Sequence, residues 1–136
     1  MTSEITSPTA NAELVRAGFR AFNAGECLTH IAPDLIINLA ERPEPQHGRE
    51  VWRQGFEMMR HAFPDLQADI EDIVAAQDKV AVRVRFRGTH AGEFLGFPAT
   101  GRIIEYVSHE FYRIADGVIA EEWICSDMAS LLRQLS

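Results

Sequence analysis

The sequence predicts an α+β fold: a curved, mostly antiparallel sheet covered on one face by helices. Two observations carry this reading. Apolar residues recur at helical spacing through much of the first half, then alternate with polar ones at strand spacing in the second. The strand-like segments are also joined by short turns, which suits a meander of antiparallel pairs rather than helical crossovers. With 136 residues, 46% of them apolar, the chain can bury one core. A loose tail over 1–10 and a single domain over 11–136 are expected.

From Asn11, the residues Leu14, Val15, Ala17, Gly18, Phe19, Ala21 and Phe22 share helical spacing, and Gly25 closes that helix. A short second helix is expected over 26–32. Pro33-Asp34 separates it from a first strand over 35–40, which is too short and too β-branched for a helix. Residues 41–48 are polar, contain Pro43 and Pro45, and read as loop. A third helix over 49–63 places Trp52, Phe56, Met59 and Phe63 on one face, and Pro64 ends it.

The period then changes. Residues 66–76 are strand-like, Gln77-Asp78-Lys79 turns, and Val80, Val82, Val84 and Phe86 alternate with Ala81, Arg83, Arg85 and Arg87. Further strands are expected over 103–114 and 118–126, joined by Ala115-Asp116-Gly117. Asp127 can cap a short closing helix that runs through Leu135.

The connection over 88–102 is unusual for its length and chemistry. It holds four glycines, Pro98, His90, Phe94 and Phe97, whereas a plain hairpin turn takes about two to five residues. It therefore borders something.

Composition excludes several classes. A net charge of −7 offers no basic patch for a nucleic-acid backbone. No apolar run approaches the roughly 18 residues of a membrane span, and the first residues lack the basic and apolar regions of a signal peptide. Cys27 and Cys125 match neither a zinc spacing nor a disulfide framework, so a reducing cytoplasm is expected. His30, His47 and His61 sit at helix ends or in loops, and no metal motif is formed.

Many short motifs occur together in order. They are Ala21-Phe22-Asn23-Ala24-Gly25, Ala32-Pro33-Asp34, Gly48-Arg49-Glu50, Phe63-Pro64-Asp65-Leu66, Gly88-Thr89-His90, Gly92-Glu93-Phe94, Gly96-Phe97-Pro98 and Thr100-Gly101-Arg102. After these come Arg113-Ile114, Asp116-Gly117, Glu121, Trp123, Asp127 and Leu131-Leu132-Arg133-Gln134-Leu135. Over nearly the whole chain this closely resembles the SnoaL-like polyketide cyclases, often labelled ester cyclases. The resemblance implies the nuclear transport factor 2-like fold, a cone whose sheet wraps against three helices around an apolar pocket. That fold hosts isomerases, cyclases, hydrolases, dehydratases and binding proteins, so chemistry must be argued from residues.

Characterised cyclases of this kind close a ring by aldol condensation without metal or cofactor. Their acid/base pair is a histidine three residues before the arginine of Arg-Ile-x-Asp-Gly and an aspartate eleven residues after it. Here that arginine is Arg113, and the matching positions hold Glu110 and Ile124. His109 is adjacent to the first, but a one-residue shift in a strand puts a side chain on the other face.

Alternation groups Tyr106, Ser108, Glu110 and Tyr112 on one face, and Val107, His109, Phe111 and Arg113 on the other. The resemblance makes the Glu110 face the pocket side. A carboxylate in an apolar cone has its pKa raised, which suits a general acid or base; the alternative is an ion pair or a bond to tyrosine hydroxyls. His90, in phase with Val82, Val84 and Phe86, is expected to point inward near the pocket mouth, either as a proton carrier or as a hydrogen-bonding anchor for the loop. Asn38 could orient a ligand carbonyl or be a partly exposed strand residue. At its neighbour Leu39, many relatives resembling this chain carry the histidine of Asn-His. Trp52, Phe56 and Met59 are core first and pocket lining second, and Trp123 packs beneath the last helix or lines the pocket. Glu121 and Glu122 read as a strand edge and its neighbour. The loop motif from Glu93 to Pro98 could close over a ligand about Gly92 and Gly96, or Phe94 and Phe97 could plug the open end of the cone.

Two classes of function follow. One is a cofactor-independent enzyme that moves protons on a hydrophobic, carbonyl-rich small molecule, with Glu110 as acid/base, His90 and Tyr106 assisting and Asn38 orienting. The other is a binding protein, or a cyclase that works by templating its substrate, in which Ile124 keeps the pocket dry. The resemblance also implies a homodimer through the outer sheet face, where Arg83, Arg85, Arg87, His109 and Phe111 lie.

Overall fold

A computed structural model of the chain describes residues 7–136. Helix α1 (Pro8–Asn23) starts three residues earlier than its periodicity suggests, because Ser7 and Pro8 supply a cap and a first helical residue. Ser7 Oγ accepts the Ala10 N–H at 3.1 Å, and proline there gives up no intrahelical bond. The expected tail is thus corrected at residues 8–10, and its first six residues lie outside the described residues. Asn11 is buried on α1, with its amide donating to Gln77 O at 3.4 Å.

The short helix expected over 26–32 does not form. Gly25, at φ +77, ends α1, and strand β1 (Ile31–Leu39) begins well before the expected position. Pro33 is accommodated because β1 skips register between Ile31 and Ile36, where no ladder donor is demanded of it. The polar loop holds a two-residue strand, β2 (Gln46–His47), and helix α2 follows (Arg49–Ala62). Two helices rather than three therefore precede the meander of β3 (Gln67–Ala76), β4 (Lys79–Thr89), β5 (Ile103–Ala115) and β6 (Val118–Ser126). Helix α3 (Met128–Leu135) closes the fold, with Asp127 accepting the Ser130 N–H at 3.0 Å.

The six strands form one open, mixed sheet in the order β2-β1-β6-β5-β4-β3. Every neighbouring pair is antiparallel except β1 with β6. On β4, Val80, Val82, Val84 and Phe86 are buried as alternation predicts, and they face Tyr112, Glu110, Ser108 and Tyr106 across the β4–β5 ladder. Leu35 and Ile37 of β1, Phe63 and Leu66 complete this core beneath α1 and α2. Among the described residues no helix is long and apolar enough to cross a membrane.

Candidate active site

Strand β5 turns Glu110 inward, as its alternation requires, leaving the side chain 5% exposed. Two hydroxyls from the same face reach it. Ser108 Oγ donates to Oε2 at 2.7 Å, and the Tyr112 hydroxyl donates to Oε1. No lysine, arginine or histidine forms an ion pair with it among the described residues. Burial pushes the Glu110 carboxyl above the ordinary range, while the Tyr112 and Ser108 hydrogen bonds pull it back. Burial and the charge of Glu110 together push the Tyr106 and Tyr112 phenols up.

A second carboxylate lies beside the first. Glu122 is 3% exposed, and its Oε1 has no hydrogen-bond partner. Burial, then the charge of Glu110, pushes its pKa up to about 8. Strand β6 lies between β1 and β5, so Glu121 and Glu122 are not an edge position and its neighbour, as the sequence alone suggests. The miss has a definite cause. Simple alternation from the buried Ile119 points Glu121 inward, but a bulge at Ala120 adds one residue to β6 and reverses the phase. Counting back two from Ile124, the register partner of Glu110, would have found Glu122.

Ile124 does lie opposite Glu110, and Leu39 of β1 lies opposite Ile124, so the surroundings of the carboxyl on that side are aliphatic. Tyr106 stacks on Phe86 with ring centroids 5.0 Å apart. Trp52 stacks on Phe56 at 5.5 Å, Phe56 meets Phe22 of α1, and Met59 is packed against the same core.

Other candidates are not brought to this place. Asn38 pairs with Trp123 in register and lies on the outer face; its amide donates to Glu121 Oε2 at 3.1 Å and to Glu122 O at 3.0 Å. Those donors are occupied, so the expected ligand contact is corrected to a strand-to-strand tie. Trp123 is register partner to the exposed Phe111, outside the sheet rather than beneath α3. His90 is fully buried but far away: Val82 is the partner of Glu110, and eight further residues at about 3.3 Å each put His90 roughly 26 Å along the strand.

At that far end His90 anchors the loop. The Thr100 N–H donates to its Nδ1 at 3.2 Å, which assigns the ring proton to Nε2, and the Thr100 hydroxyl lies 2.9 Å from Nδ1. Its backbone also exchanges two bonds with Gly101 and Arg102. The hydrogen-bonding alternative is the one the geometry fits. In the same loop Leu95 and Gly96 take positive φ in a two-residue turn that folds Phe94 onto Phe63, with centroids 5.3 Å apart. Gly92 packs closely on the end of α2: its N–H donates to Ala62 O at 3.1 Å, and a Cβ there would lie 2.3 Å from His61 O, so no other residue fits without a shift.

The arrangement is a pair of desolvated carboxyls on neighbouring strands, with hydroxyl donors and aliphatic walls. Such groups can exchange protons with a weak carbon acid near neutral pH. Among the described residues no three His, Cys, Asp or Glu side chains converge as a metal site.

Comparison with known proteins agrees with the motifs. A family model described as SnoaL-like polyketide cyclase matches residues 12–135. Aklanonic acid methyl ester cyclase DauD from Streptomyces sp. (strain C5) is 29% identical over 132 residues, covering 90% of this chain and 80% of that protein. The structure of IdmH from Streptomyces antibioticus, a proposed polyketide cyclase, is 38% identical with a TM-score of 0.80, and the match covers 92% of this chain and 97% of that one. AclR from Streptomyces galilaeus, a proposed hydroxylase, is 29% identical with a TM-score of 0.87, over 95% of this chain and 82% of its own.

Proposed function

This chain belongs to the SnoaL-like polyketide cyclase family, and from that premise we propose that it closes or rearranges a ring in a hydrophobic, carbonyl-rich small molecule by proton transfer through Glu110. Family membership and the curated cyclase relatives support a cyclase-type function in secondary metabolism. The observation that carries the finer reading is the Glu110 carboxyl itself: buried on the inner sheet face, held by two hydroxyls and paired with no cation.

Glu110 removes a proton from a carbon next to a carbonyl, and the electron pair passes to the carbonyl oxygen. The resulting enolate attacks a second carbonyl carbon, and a proton returns to the new alkoxide. Ser108 and Tyr112 hold the carboxylate in one orientation, and Ile124 and Leu39 keep water from competing. His90 and Asn38 take no part in this step.

A second reading rests on Ile124 and Leu39, which put alkyl groups beside Glu110; an interior so lined could template ring closure without moving a proton. One experiment separates the two. The probe is aklanonic acid methyl ester, the compound in the curated relatives' names, and product is followed by chromatography because aldol closure leaves the mass unchanged. Glu110→Gln should lower the rate by about 10²–10⁴-fold. An unchanged rate in that variant leaves only templating.

A further inference from the structure

We propose that Glu110 and Glu122 act as one unit holding a single proton, with Glu110 ionised beneath its two hydroxyl donors and Glu122 keeping the proton. The inference deepens the proton-transfer reading of Glu110 and rests on it for its use. Glu122 is a positioning residue here, acting through Glu110 rather than on the substrate.

The register supplies the geometry. Glu110 faces Ile124 and Tyr112 faces Glu122, so the two glutamates are diagonal neighbours on the inner face, about 7–8 Å apart at their backbones and closer at their side chains. Tyr112 is the register partner of Glu122, and its hydroxyl donates a hydrogen bond to Glu110. Two negative charges at this separation inside a core oppose one another, so the second ionises only at higher pH than the first.

Hydrogen bonding decides which group ionises first. Glu110 accepts from Ser108 and Tyr112, and donors of this kind stabilise a carboxylate. The Glu122 carboxyl accepts no hydrogen bond among the described residues, and its Oε1 is buried without a partner. Among the described residues nothing else facing the pair offsets the charge. Strand β5 contributes Tyr106, Ser108 and Tyr112, and β6 contributes Ser126, which lies 3.0 Å from Ser108 Oγ. The inner residues of β4 are Val80, Val82, Val84 and Phe86, and those of β1 are Leu35, Ile37 and Leu39. Helix α1 presents Phe19 to Tyr112, and α2 faces the core with Trp52, Phe56 and Met59. Among the described residues, the groups facing the pair therefore include no cation to balance the two acids.

The consequence for catalysis is a charge balance. Before proton abstraction the pair carries one negative charge, and after it none, with the charge now on the substrate oxygen. Were Glu122 ionised as well, the pair would repel the developing enolate.

The test titrates the folded protein, isotope-labelled at its glutamate carboxyl carbons, by NMR. In the wild type the Glu110 signal should move mainly at the lower of two midpoints and the Glu122 signal mainly at the higher. In Glu110→Gln the Glu122 titration should fall to lower pH, by about tenfold or more in acid constant. A Glu122 that titrates at the same pH in wild type and variant overturns the proposal. Should Glu110→Gln fail to fold, the wild-type curves decide: a Glu122 signal that moves at or below the Glu110 midpoint overturns it equally. The titration needs no substrate. A failed proton-transfer reading, seen as unchanged turnover in Glu110→Gln, is thus told apart from a failed dyad.

Discussion

Glu121 and Glu122 are adjacent in sequence and identical in type, yet the two faces of the sheet treat them oppositely. Outside, Glu121 meets Arg113 at 3.3 Å and accepts from Asn38, and the same face pairs Glu71 with Arg83 and Arg85, and Glu105 with Arg87. Inside, Glu122 and Glu110 pair with no cation among the described residues. Paired surface charges hold strands in register at little cost or gain, whereas an unpaired buried carboxyl is a standing cost to stability. A chain keeps such a cost where the group's proton is of use.

The strongest way to break this contrast is to neutralise Glu122. Its folded pKa is raised to about 8 from the ordinary 4.5, so the folded protein binds a proton that the unfolded chain releases. Its contribution is fully favourable below about pH 4.5 and is lost as pH rises toward about 8. At about 1.4 kcal/mol per pH unit for one proton, the wild type loses several kcal/mol across that window. Glu122→Gln should flatten the slope and raise the melting temperature at pH 8 to 9, as thermal melts across pH would show; an unchanged slope would mean that Glu122 ionises freely.

Next in size is His90→Ala, expected to cost about 2–4 kcal/mol in denaturant unfolding, since it empties a packed site and strands the Thr100 N–H. Turnover per folded molecule should stay within about twofold if His90 only anchors the loop. On the outer face, Phe111 is 51% exposed beside Trp123, and we expect a homodimer through it. Phe111→Glu should weaken that dimer about 30-fold or more by light scattering, as loss of an aromatic anchor does. A wild type that is monomeric at every concentration would remove this expectation. Smallest of all, Glu121→Gln should change stability by less than about 1 kcal/mol and leave its pH dependence alone, which is what separates a paired surface glutamate from its buried neighbour.

Much of the fold was legible because period and turn chemistry agree: the α+β class, the inward face of β5, the β6 span and the Asp127 cap all follow from local pattern. The errors arose where a single residue outweighed periodicity. Ser7-Pro8 starts α1 early, and Gly25 leads straight to a strand that admits Pro33 by skipping register. The candidate site was legible at Glu110 and Ile124, whose places follow from alternation and family spacing. Glu122 was hidden by a bulge, and at Asn38 and His90 the sequence left two readings open, between which only their partners, Glu121 and Thr100, decide.

The bulge at Ala120 also sets where this strand tolerates a change in length. Ile119 and Glu121 pair with consecutive residues of β5, and Ala120 between them pairs with none. Removing Ala120 would straighten β6 and still leave Ile119, Glu122 and Ile124 directed at the core. Removing Trp123 instead would exchange the two faces on one side of the cut, turning either Glu122 or Ile124 out to solvent. An insertion or deletion in this short segment is thus harmless or ruinous according to a shift of three positions, with no change in the chemistry of any side chain.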